Sequence, residues 1–154
     1  MKLLSVPFYK QETIYTCGPA SLRMAFSFFG RQVAESTLAS EVGTNDATGT
    51  ERERMGEAAK TRGLIPHEKT DAAIKDLTDL YRQGIPSIVR FVEPSQNVDH
   101  YGVVIGIDGS NIVIHDPWNG PETVFDLGMF FMRWPCEYTR GQTCWLLGIG
   151  PESI

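Results

Sequence analysis

Apolar positions recur every three or four residues through the first half of the chain and cluster in short β-branched runs through the second. Across residues 17–29 (CGPASLRMAFSFF), Leu22, Ala25, Phe26 and Phe29 fall at helical spacing, and Gly30 supplies a stop. Ser36 to Val42 fits a short helix, and residues 50–62 fit another closed by Gly63. Residues 71–83 place Ile74, Leu77, Leu80 and Tyr81 on one helical face, with Asp71 near the start and Gly84 past the end. The pattern then changes. Residues 85–92 (IPSIVRFV), 101–107 (YGVVIGI) and 111–115 (NIVIH) are rich in Val and Ile, which favour strands. Asp108-Gly109 marks a hairpin between the last two. A further strand is predicted at 143–149 and a short helix at 126–132. Helices first and an antiparallel sheet second predict an α+β fold. No repeat or linker interrupts the 154 residues, so 1–154 reads as one domain.

Composition narrows the function classes. The net charge of -5 comes without any block of Lys or Arg, which argues against a nucleic-acid footprint. Cys17, Cys136 and Cys144 make an odd count, which does not read as a disulfide framework, although a Cys136–Cys144 bridge is conceivable. Met1 to Pro7 lacks the apolar core of a signal peptide. No segment approaches the roughly 18 apolar residues of a membrane span. A cytoplasmic protein without a membrane span is the expectation. With three histidines and no closely spaced cysteine pair, neither a zinc site nor a cofactor is expected.

The sharpest local feature is Gln11 followed by Thr16-Cys17-Gly18-Pro19-Ala20. Cys17 stands where an amphipathic helix begins. Pro19 suits a first turn, where its missing N–H costs nothing, and Gly18 permits a tight backbone path. A thiol there feels the positive end of the helix dipole, which favours thiolate. The adjoining N–H groups could hold an oxyanion. A lone cysteine at such a place is more often a small buried hydrophobe. Gln11, six positions earlier, could return an amide to the oxyanion site, or be an ordinary loop glutamine.

The second feature is Asp99-His100-Tyr101-Gly102 at the head of a strand, with His115-Asp116-Pro117-Trp118 at the far end of the hairpin. A thiol nucleophile needs a base within reach and a third group to fix that base. With a three-residue loop from Asp108 to Ser110, Ile107 faces Asn111, Gly102 lies opposite Asp116, and His100 lies opposite Trp118. His100 and Asp116 then share a face as diagonal neighbours, with room left by Gly102, while His115 points away. A two-residue loop would shift the register by one and reverse that sorting, although a bulge or the turn into Pro117 could still bring the pair together, and His115 is the competing base. Asp116-Pro117 alone also fits a turn start. His67, after Pro66, reads as a surface residue in an exposed connection.

Taken together these residues resemble the bacteriocin-processing, double-glycine-leader peptidases and their stand-alone relatives, which are papain-like cysteine peptidases. The resemblance runs from Gln11 and Cys17-Gly18-Pro19-Ala20-Ser21-Leu22 through Val42-Gly43-Thr44, Gly49-Thr50, Gly63-Leu64 and Gly84-Ile85-Pro86. It continues to His100-Tyr101-Gly102-Val103-Val104 and Asp116-Pro117. It implies a helical layer packed on an antiparallel sheet, with Cys17 as nucleophile, His100 as base, Asp116 orienting it, and Gln11 at the oxyanion. It also implies a peptide or protein substrate. The best-known members continue into membrane spans and an ATPase. None lies within this sequence, so cleavage after a double glycine is not carried over. Acyl transfer or amide hydrolysis on the same three residues, and non-catalytic peptide binding, remain alternative readings.

Overall fold

The computed structural model describes residues 1–134 and 144–152. The chain opens with an extended N-terminal segment. Helices α1 (Cys17–Phe28) and α2 (Glu35–Glu41) follow, then a 3-10 turn (Arg52–Arg54) leading into α3 (Met55–Thr61). Strand β1 (Ile65–Lys69) and helix α4 (Ile74–Arg82) precede β2 (Ser87–Glu93), β3 (Val98–Ile107), β4 (Asn111–Asp116) and β5 (Gly120–Asp126). Helix α5 (Leu127–Arg133) and β6 (Leu146–Gly150) complete it. The six strands form one antiparallel sheet in the order β1-β6-β2-β3-β4-β5. Among the described residues no helix is long and apolar enough to cross a membrane.

Alternating side chains send the sheet's apolar residues to two faces. On one, Ile88, Val103, Ile105, Val113 and Leu147 pack with Leu22, Ala25 and Phe26 of α1, Leu38 of α2 and Met55 of α3. On the other, Val89, Phe91, Val104, Ile112 and Ile114 pack with Leu77 of α4 and Phe130 of α5. The expected helical layer is therefore α1–α3, and α4 with α5 covers the opposite face. Two strands differ from the sequence reading, which made the His67 region a connection and gave 120–126 no strand. Both β1 and β5 are edge strands whose side chains are largely exposed, so they lack the apolar alternation that betrays a strand. An edge also tolerates Pro66, which cannot donate to a ladder. His67 is exposed, as expected. Cys136 lies outside the described residues, and with it the possible Cys136–Cys144 bridge.

The β3–β4 hairpin corrects the predicted turn but keeps the predicted pairing at its far end. Ile107 lies opposite Ile112, not Asn111. The Asp108 carboxylate accepts the N–H groups of Ser110 and Asn111, both at 2.8 Å, which draws Asn111 into the turn. A bulge at Ile105 then recovers the residue, so Val104 faces Ile114 and Val103 faces His115. The freed Ile105 carbonyl accepts Leu4 N–H at 2.8 Å, fastening the N-terminal segment across the sheet. Gly106 permits that crossing, since a Cβ there would stand 2.6 Å from Met1 Sδ and 2.7 Å from Leu3 Cδ2.

Candidate active site

Cys17 is the first residue of α1 and is partly exposed. No side chain caps this helix start, because Thr16 Oγ1 instead accepts Thr13 N–H at 3.1 Å. The first-turn N–H groups are therefore left without a side-chain cap, as an anion site requires. Gly18 serves close packing as well as backbone freedom. A Cβ there would stand 2.6 Å from Thr50 Oγ1, so only glycine lets α1 start against this loop. Thr50 is itself fixed by Thr44 Oγ1 at 2.6 Å and by Tyr101, whose hydroxyl donates to Thr50 O at 2.8 Å.

His100 and Asp116 meet at the far end of the hairpin. His100 Nε2 lies 2.6 Å from Asp116 Oδ1, and both side chains are buried. Cys17 is the other group that acts on the ring, and with Nε2 committed to Asp116 the nitrogen left for the thiol is Nδ1. Burial alone would lower the His100 pKa. The hydrogen bond to Asp116 and the neighbouring Cys17 outweigh it, and the ring is pushed up to about 10. Phe91, opposite His100 in β2, meets the ring edge-on at 5.9 Å between centroids. Gly102 leaves space for Phe91 and Ile114, not for the His–Asp contact itself: a Cβ there would stand 3.2 Å from Phe91 Cε1 and 2.7 Å from Ile114 Cγ2.

His115 points to the other face and is fully engaged there. Its Nε2–H donates to Val6 O at 2.8 Å, and its Nδ1 accepts Glu122 N–H at 3.1 Å. That pattern fits a neutral ring of one tautomer, and burial holds its pKa below the usual imidazole value. It lies 5.5 Å from the Phe8 ring, edge-on. His115 thus clamps the N-terminal segment and takes no part in the Cys17 cluster.

Gln11 is buried at the cleft and is tied to the turn after Asp116, since Gln11 N–H donates to Pro117 O at 3.0 Å. Its Nε2 donates to Thr13 O at 2.7 Å. A carboxamide carries two such hydrogens, so one remains for another acceptor. The Glu12 N–H in the same loop donates to Glu35 Oε2 at 2.9 Å, and Glu35 is only 2% exposed. Burial raises the Glu35 pKa. Gln11 and His100 line a cleft of about 440 Å³ together with Ile14, Glu93, Gln96, Val98 and Trp118. Ile14, Val98 and Trp118 expose apolar surface there, as a binding cleft does.

Three side chains escaped the sequence reading, the exposed Asn119 and the buried Glu93 and Glu35. Asn119 Nδ2 donates to Asp116 Oδ2 at 2.9 Å and to Glu93 Oε2 at 3.2 Å. Glu93 also accepts Ser95 N–H and Gln96 N–H, each at 2.7 Å. Glu35 is the third. Asn119-Gly120 advertises a turn, but nothing local says which carboxylates its amide will meet. Among the described residues no group of His, Cys, Asp and Glu is placed to hold a metal ion.

The sequence model described as "Peptidase_C39 like family" matches residues 3–141. The chain belongs to this peptidase C39-like family. Its fold is the papain-like fold of C39 peptidases. It superposes on the peptidase domain of Streptococcus ComA, a bi-functional ABC transporter of a quorum-sensing pathway, with a TM-score of 0.75 and 24% identity. That match covers 94% of this chain and 98% of the other. A C39-like peptidase from Bacillus anthracis gives a TM-score of 0.75 at 19% identity, covering 99% and 100%. A double-glycine-motif protease from an AMS/PCAT transporter, solved in complex with its leader peptide, gives 0.71 at 23% identity, covering 97% and 94%. Among curated sequences, an uncharacterised protein of Methanothermobacter marburgensis is 32% identical over 111 residues, which is 72% of this chain and 71% of the relative. Family and fold together mark this C39-like chain as cysteine-peptidase-like.

Proposed function

We propose that the protein is a cysteine peptidase that hydrolyses a peptide bond through a Cys17 thioester. The observation carrying this reading is the buried His100–Asp116 pair, 2.6 Å apart, together with the partly exposed Cys17 at the start of α1. The Cys17 thiolate attacks the carbonyl carbon. The oxyanion that forms meets the α1 N–H groups and the second N–H of Gln11. His100, held as imidazolium by Asp116, gives its Nδ1 proton to the leaving amine, and the C–N bond breaks. The now neutral ring takes a proton from water, whose oxygen attacks the thioester. The acid leaves and the thiolate–imidazolium pair returns. The cleft beside His100, with its apolar rim, is the place for the peptide chain, and the leader peptide bound to a neighbour of this fold supports a peptide substrate.

Incubation with a diverse peptide library, read by mass spectrometry, tests the reading. New free-acid products support it. New amides formed when an amine acceptor is added would instead make the protein an acyltransferase on the same site. Intact peptides with tight binding would make it a peptide-binding module.

Two expected results follow from the geometry. Gln11→Ala slows hydrolysis by about 10²–10³-fold, the usual scale of one oxyanion donor, with KM little changed. A wild-type kcat in that variant would reduce Gln11 to a loop brace on Thr13. The second concerns pH. A raised His100 pKa keeps the ring protonated through neutral pH, so kcat/KM holds there and declines as pH rises through about 10, where the proton donor is lost. A decline centred near the ordinary imidazole value would show that the Asp116 and Cys17 contacts do not hold the proton.

A further inference from the structure

We propose that Asn119 is a positioning residue for His100, acting through Asp116, and that Glu93 anchors it; this rests on the peptidase reading above. The Asp116 carboxylate is fully buried, and its two oxygens have different partners. Oδ1 receives His100 Nε2 at 2.6 Å and the N–H groups of Trp118 and Asn119 at 2.9 and 3.0 Å. Oδ2 receives Asn119 Nδ2 at 2.9 Å, and among the described residues no other donor is recorded for it. The second hydrogen of the same amide points to Glu93 Oε2 at 3.2 Å. Glu93 is 1% exposed, so a neutral double donor stands between two buried carboxylates. Asn and Gln alone supply an uncharged side-chain –NH₂ of this kind.

This bridge does two things. It satisfies the oxygen that the imidazole does not reach, which keeps Asp116 ionised and fixed in rotation against His100. It also joins the triad to the cleft wall, because Glu93 accepts the N–H groups of Ser95 and Gln96, and Gln96 lines the cleft. The charged groups around it are Asp116, Glu93 and His100. Arg133 of α5 reaches the same turn on Val92 O at 3.3 Å and Asn97 Oδ1 at 3.1 Å. Asp99, beside His100 in β3, pairs with Arg90 at 3.8 Å.

A purely structural turn residue and an electrostatic bridge make opposite demands on Asn119→Asp. Aspartate is nearly isosteric and keeps the backbone N–H that Asp116 accepts, so a turn role tolerates it better than alanine. A bridge role makes it the worse variant at neutral pH, because its ionisation sets three carboxylates together. Crowding by like charges raises the pKa of the new carboxyl. Below that value it keeps one proton and donates to one of the two carboxylates; above it the donor is gone.

The experiment compares wild type, N119A, N119D and N119D/E93Q as full chains, with circular dichroism confirming the fold. The first readout is the rate at which iodoacetamide alkylates Cys17 between pH 5 and 9, which needs no peptide. The second is kcat and KM on a cleaved peptide. Expected is a loss of about 10–100-fold in kcat for N119A, the scale of one hydrogen bond to a charged group, with KM unchanged. N119D is expected to be slower than N119A at pH 8, its rate relative to wild type falling as pH rises. E93Q in the N119D background restores part of the loss, since it removes one carboxylate and adds a donor. N119D matching wild type at every pH overturns the proposal, as does N119D exceeding N119A with a flat ratio. Should N119D fail to fold, N119D/E93Q with a rate near wild type supports the bridge, and failure of both variants to fold overturns it in favour of a structural role. A wild type that cleaves nothing overturns the peptidase reading, while the alkylation profiles still decide the role of Asn119.

Discussion

Replacing Cys17 with alanine abolishes peptide hydrolysis and leaves the fold in place. The side chain sits partly exposed at the first position of α1, at the margin of the apolar cluster between that helix and the sheet. Its loss opens no sealed cavity and removes little buried area, so thermal stability moves little. The chemical loss is different in kind. Without Sγ there is no thioester, and water would have to attack a peptide that His100 and the α1 N–H groups merely hold. For residues that act as a unit, removing the nucleophile costs about as much as removing the whole set, on the order of 10⁴-fold or more. Product formation followed by mass spectrometry, beside circular dichroism and a melting curve, reads both halves. Hydrolysis persisting in the alanine variant, with Cys136 and Cys144 still present, would remove Cys17 from the mechanism.

The local signals in the sequence place most of the elements. Leu22, Ala25 and Phe26 at helical spacing give α1 because that helix buries one face, and Cys17 follows as its first residue. The Val- and Ile-rich runs give β2, β3 and β4 because these are the interior strands, buried on both faces. The edge strands β1 and β5 are not visible, since their largely exposed side chains carry no apolar alternation. The division of the helices between two sheet faces is equally hidden: α1 and α4 both present apolar stripes, and a stripe does not say which face it will meet.

The site shows the same boundary between local and distant information. The hairpin arithmetic brings Asp116 toward His100, yet its premise about the turn is wrong by one residue, and the bulge at Ile105 supplies the compensation. Nothing in the Asp108-Gly109 turn forecasts that bulge. The carbonyl it frees is taken by a residue 101 positions away in sequence, through the Leu4 N–H. Asn119, Glu93 and Glu35 are hidden for the same reason. Each is an ordinary polar residue until the fold sets Glu93 at the end of β2 beside the turn after β4, and sets Glu35 of α2 beneath the loop carrying Gln11.

His100→Ala is expected to lose activity on the order of 10⁴-fold, while His115→Ala keeps most of the wild-type kcat and melts at lower temperature. The two rings sit on opposite faces of one sheet and differ in what their nitrogens do. His100 has one nitrogen on Asp116, and the proposed mechanism gives the other to Cys17, so alanine removes both the proton carrier and the partner of the thiolate. His115 has one nitrogen on Val6 O and the other on Glu122 N–H, so alanine unfastens the N-terminal segment and leaves the Val6 carbonyl without its donor. Asp116→Asn falls between the two in kcat. An amide oxygen can still accept from His100 Nε2–H, but it carries no charge to stabilise imidazolium, and its –NH₂ competes with that of Asn119. Stability against pH separates the histidines a second time. His100 is raised in the folded protein to about 10 from 6.5, so its contribution is complete below pH 6.5 and is lost as pH rises through about 10. His100→Ala therefore flattens the alkaline decline in melting temperature, whereas His115, lowered by burial, contributes nothing to a decline at that end. Turnover of the three variants on one peptide, with melting curves from pH 6 to 10, carries the decision. An active His100→Ala beside a dead but folded His115→Ala would make His115 the base and break the proposed series from Cys17 to Asp116.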